Sequence, residues 1–144
     1  MILTPHMLVG AAIGSHVSNL WLAFCFGLAS HYLLDILPHW DYLLKVEFSN
    51  LNNVKKVATD LIFGIILILI LTWSMPNKII ILAAVVASIL PDFINGIYSN
   101  YKVQWLKYLV QFHHKIHIYV GLSFRQGMPA TIIVSLAAIL VLIL

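Results

Sequence analysis

The sequence predicts an all-α fold: a polytopic membrane helical bundle of about five membrane helices plus an interfacial helix. Three observations predict it. Of 144 residues, 62% are hydrophobic and 9% charged, against roughly 25% charged in an ordinary soluble domain, and the mean hydropathy is +0.99. The apolar residues come in long blocks, such as 61–73 and 79–90, and a membrane helix needs about 20 of them in a row. The basic residues gather in short stretches between the blocks, a pattern of membrane orientation rather than nucleic-acid binding. At this length the reading is one integral membrane domain over residues 1–144.

The elements follow in chain order. A first helix is expected over residues 5–16, with Pro5 in the first turn, where its missing N–H costs nothing, and Thr4 as N-cap. No basic n-region precedes it, so it reads as a helix of the mature protein rather than a signal peptide. Ser15, Ser18 and Asn19 mark a turn before a second helix over 20–37, which Pro38 ends. A polar loop over 39–54 leads to a third helix over 55–74, stopped by Met75-Pro76-Asn77. The fourth helix covers 78–95, and Pro91 should kink or unwind its last turns. Residues 101–126 read as an interfacial helix and loop, and 128–144 as a last apolar helix. Cys25 is the only cysteine, so no intramolecular disulfide is possible.

Alternating turns across a bilayer put Lys45, Lys55, Lys56, Lys102, Lys107, Lys115 and Arg125 on one side and only Lys78 on the other. The positive-inside rule makes that side cytoplasmic, in a multi-pass inner-membrane protein. The same map gathers His6, His31, Asp35, His39, Asp41, Asp60, Asp92, His113, His114 and His117 there, leaving His16 and Glu47 outside. Carboxylates near membrane depth cost about 2.5–3.5 kcal/mol each and need partners. Imidazole and carboxylate together are a metal-ligand set: zinc first, with manganese and iron also compatible.

The sharpest motif is His31-Tyr-Leu-Leu-Asp35-Ile-Leu-Pro-His39-Trp-Asp41. His31 and Asp35, four apart, share a helical face and can reach one ion, while Pro38 lets His39 and Asp41 turn back. A snorkelling helix end with Trp40 and Tyr42 as belt residues would also explain the stretch. In His113-His114-Lys115-Ile116-His117, helical spacing lets two of the three histidines ligate, although an amphipathic segment with hydrated histidines has the same composition. Leu90-Pro91-Asp92 places Asp92 either at the pocket or as a turn cap. His6 is a ligand or proton-shuttle candidate. Asp60 is a ligand, a partner orienting a histidine, or a general base, and His16 is a turn residue.

At these residues the chain resembles the LexA-binding, inner-membrane-associated, metal-dependent hydrolase family. The shared features are Pro5-His6 before small residues, Ser30-His31 with Asp35, Leu90-Pro91-Asp92, and the late His113 to His117 segment. The His31/Asp35 pair also resembles the His-x-x-x-Asp element of zinc-dependent phospholipases C. Two departures stand out: Ile94 occupies the family turn's second acidic position, and the late histidines are spaced differently. The resemblance implies a metal-dependent hydrolase, and a substrate reaching a site at headgroup depth on the cytoplasmic face would be a phosphoester or ester of a lipid, with membrane lipids as partners. A bound cation would bring the pKa of its water towards 7, Asp60 or Asp41 would take the proton, and Lys45 or Arg125 would hold a phosphate. The alternatives are a non-enzymatic metal-binding or metal-permeation protein, and a scaffold with a structural ion.

Overall fold

A computed structural model describes residues 1–43, 46–117 and 121–144; Lys45, a candidate phosphate ligand, lies outside them. Six α-helices and no strand occur among the described residues: α1 (Leu3–His16), α2 (Leu20–Ile36), α3 (Leu51–Leu71), α4 (Lys78–Tyr101), α5 (Lys107–Ile116) and α6 (Phe124–Ile143), with a 3-10 turn at Gln104–Leu106.

Local chemistry explains the boundaries. The Asn19 side chain accepts hydrogen bonds from the Trp21 and Leu22 amides, and Asn50 accepts from Asn52 and Asn53, so each satisfies donors that a helix start leaves open. Ser123 and Gln126 form a capping box that starts α6 four residues before the expected 128. Pro91 does not end α4, which continues to Tyr101. Thr4 is not the N-cap of α1, because the helix begins at Leu3 and its cap comes from α3.

The expectation of about five membrane helices is not met. Among the described residues two helices, α4 and α6, are long and apolar enough to cross a membrane. α1 has 14 residues and α2 has 17, short of the roughly 20 a span requires. In α3, Lys55, Lys56 and Asp60 leave only residues 61–71 as an uninterrupted apolar run. The multi-pass inner-membrane localisation falls with that count, as does the orientation built on alternating spans. The error has a physical origin: α1 is apolar because the protein itself surrounds it. It packs against α2, α3, α4 and α6, and Leu3, Met7, Leu8 and Ala11 join Ile81, Val85 and Leu142 in the core.

Close helix approach holds α4 against its neighbours. A Cβ on Gly27 of α2 would collide with the Ala84 carbonyl of α4, and one on Gly14 of α1 would stand 2.5 Å from Ile81 Cα. At Gly96 of α4 the nearest neighbouring atom would be 3.8 Å away. Gly27→Ala should therefore destabilise the fold by about 1–3 kcal/mol through overpacking. Gly96→Ala should gain up to about 1 kcal/mol from helix propensity. Denaturation of both variants beside wild type checks the contrast; equal shifts would refute the packing argument.

Candidate metal centre

One end of the bundle collects the ionisable side chains. The last turns of α2 supply His31 and Asp35, α1 supplies His6, α4 supplies Asp92 and the end of α5 supplies His113. His39 and Asp41 come from the segment after α2, and His117 lies just beyond α5. His6, His31, Asp35, His39, His113 and His117 are all buried.

Two donor groups result among the described residues: His31, Asp35, Asp92 and His113 in one, Asp35, His39 and His117 in the other. In the first, His31 Nδ1 donates to the Ser88 carbonyl at 2.7 Å. That bond fixes the tautomer and leaves a lone pair on Nε2, the arrangement that orients metal-binding imidazoles. His31 Nε2 lies 3.0 Å from Asp35 Oδ2 and 3.4 Å from His113 Nε2. His113 Nε2 is 2.9 Å from the same carboxylate oxygen. Asp92 Oδ1, the one partly exposed member, stands 3.9 and 3.8 Å from the two imidazoles. Ligands bound at 2.0–2.1 Å around a tetrahedral ion are separated by about 3.3 Å. The donor set therefore has both the chemistry and the spacing to hold a divalent ion.

The second group repeats the pattern. His39 Nδ1 donates to the Leu37 carbonyl at 2.6 Å, and its Nε2 is 3.2 Å from His117 Nε2. Asp41 Oδ2 lies 3.4 Å from His39 Nε2 and 3.5 Å from His117 Nε2. The Met1 amine also sits here, 3.2 Å from Asp35 Oδ1 and 3.0 Å from Asp41 Oδ1.

The electrostatics favour ligation. Burial pushes His117 down to about 4. Burial also pushes His6 to about 4 despite the neighbouring Asp35. Burial would raise Asp41, but the His39 bond, the Met1 ammonium and the His39 charge bring it to about 2. Asp35 is likewise held below the ordinary carboxylate range: bonds from His113 and His31, together with the neighbouring His6 imidazole, outweigh its burial. Burial opposes protonation of His31, yet the Asp35 bond and the Asp92 charge raise its pKa. The carboxylates thus favour a positive charge beside that imidazole, which a metal ion can supply in place of a proton.

Two candidates named from the sequence lie elsewhere. Asp60 caps α1: its carboxylate accepts from Leu3 N at 2.6 Å, Thr4 N at 3.3 Å, Thr4 Oγ1 at 2.6 Å and Tyr42 OH at 3.3 Å. His114 pairs with Asn95 Oδ1 at 3.2 Å and belongs to neither donor group. The Ser88 and Leu37 carbonyls that orient His31 and His39 carry no sequence signal, since any residue type supplies a carbonyl. The Asp60 cap was also hidden, because it joins residues 57 positions apart.

A cavity of about 150 Å³ opens beside the donors and is lined by Asp41, Asp92, His113 and His117 together with apolar side chains including Phe48 and Phe93. Arg125 is not among its lining residues.

Among the described residues, fold and site together define a class, an all-α six-helix bundle with a buried His/Asp cluster that forms two candidate metal sites. No protein-family model, curated protein or solved structure matches the chain. The family resemblance therefore rests on its short motifs alone.

Proposed function

We propose that this chain is a divalent-metal-binding protein whose ion joins the ends of α2 and α5 to the middle of α4. The observation that carries the reading is His31, whose Nδ1 is anchored on the Ser88 carbonyl while its Nε2 faces His113, Asp35 and Asp92. A buried polar cluster of this kind is costly without a compensating partner, and a cation satisfies all four groups at once. The mixed nitrogen and oxygen donors suit zinc first, then manganese or iron.

Metal analysis of the purified protein tests the reading, with wild type beside His31→Ala and Asp60→Ala. At least one ion per chain is expected in wild type and in Asp60→Ala, and its loss in His31→Ala. Asp60→Ala should instead cost stability, about 1–2 kcal/mol for a lost cap. A metal-free wild type would refute the proposal.

The cavity favours a second reading, metal-dependent hydrolysis of a lipid-like phosphoester or ester. Apolar walls suit an acyl chain, and Asp41, Asp92, His113 and His117 stand where a polar head would lie. A metal ion there would supply an activated water and polarise the ester oxygen. Asp41, anionic and at the cavity wall, is the group placed to take a proton. A metal-replete preparation should then hydrolyse a short-chain phospholipid, and Asp41→Asn should lose turnover while keeping the ion held by His31, Asp35, Asp92 and His113. Absence of turnover across phosphoester and carboxylic-ester lipids would remove this reading and leave the first intact.

A further inference from the structure

The two donor groups meet on a single side chain. Asp35 turns Oδ2 towards His31 and His113, at 3.0 and 2.9 Å, and Oδ1 towards His6 and His117, at 3.3 and 3.9 Å. Resting on the metal-binding reading above, we infer that both groups fill together, as a dinuclear centre bridged by the Asp35 carboxylate. The second cation is held by Asp35 Oδ1, His39, His117 and Asp41.

His39 is prepared in the same way as His31, with Nδ1 donating to a backbone carbonyl, and its Nε2 faces both His117 and the Met1 ammonium. That ammonium also contacts Asp35 Oδ1 and Asp41 Oδ1, so it marks the cation position that the second ion would take over. The separations among His39, His117 and Asp41, 3.2 to 3.5 Å, are those of neighbouring ligands on one ion. His6 adds an independent observation. It is fully buried and neither ring nitrogen makes a hydrogen bond, although Nε2 stands 3.3 Å from Asp35 Oδ1. A buried imidazole left in that state pays a desolvation cost with nothing in return. An ion on the Oδ1 side of Asp35, with His6 as a fifth donor beside the four already named, would give its Nε2 the partner it lacks.

Two cations on the two oxygens of one carboxylate would lie about 3.5–4 Å apart, the spacing of two-metal sites. Asp35, Asp41 and Asp92 bring three negative charges against four from the two ions and one from the nearby Met1 ammonium. The remaining positive charge favours an anionic oxygen ligand from the adjoining cavity. The donor chemistry admits manganese, iron or zinc at both positions.

The test uses the full-length chain loaded with Mn(II), with bound metal counted and electron paramagnetic resonance recorded. Wild type should bind two ions per chain and give the multiline spectrum of an exchange-coupled pair. The double variant His39→Gln/His117→Gln should bind one ion and give the six-line signal of isolated Mn(II). One ion per chain in wild type would overturn the dinuclear inference while leaving the metal-binding reading standing; no ion would overturn both. Two ions without exchange coupling would overturn the Asp35 bridge, and so would a double variant that keeps two. If that variant does not fold, the wild-type count and spectrum decide alone.

Discussion

Asp35→Asn should abolish metal binding, with affinity falling by more than about 100-fold. Loss of residues that merely orient a ligand already costs 10–100-fold, and Asp35 touches both donor groups. The amide keeps the volume of the carboxylate, so the helix end should survive while the negative charge and the second acceptor oxygen disappear. Asp92→Asn should have the smaller effect, because Asp92 is partly exposed and stands 3.8–3.9 Å from its imidazole partners. Metal titration followed by calorimetry compares the two directly. Full metal occupancy in Asp35→Asn would remove the shared carboxylate from the account.

Chelation should produce the second large effect. A ligand present at 100 times its dissociation constant stabilises the state that binds it by about 2.7 kcal/mol. For a chain of this size that corresponds to a fall in Tm of roughly 5–10 °C on metal removal. The loss should begin at the clustered end of the bundle, where an ion would join the histidines and carboxylates of α5 and of the segment after α2. The Gly27–Ala84 contact, on the packing between α2 and α4, needs no metal. Thermal unfolding with and without chelator, followed by restoration with zinc, measures the shift. An unchanged Tm in a preparation shown to have held metal would mean that the ion does not clamp the helix ends. Amide exchange should localise the loosening to α5 and residues 37–43.

How much was legible in the residues depends on how local each feature is. The pair His31/Asp35 could be read directly, because four residues of α-helix bring two side chains to one face. The helical character of the apolar blocks was legible for the same reason. The number of membrane spans was not. Hydropathy records how apolar a segment is but not whether lipid or protein covers it, and α1 owes its composition to the core of the bundle. Asp60 shows the same limit. Its carboxyl could have served a metal, a histidine or a proton, and only the placement of α3 beside the start of α1 made it a cap.

By itself, the sequence determined that the chain is helical, which short segments carry imidazole and carboxylate, and that His31 and Asp35 act from one helix face. Tertiary structure alone decided that His113, 78 residues from Asp35, meets the same carboxylate, that His39 faces His117, and that His114 turns away to Asn95. The reason is one of range. Helix periodicity relates residues within a few turns, whereas the approach of α2, α4 and α5 is set by packing around α1 and by small residues such as Gly27, which no local pattern encodes.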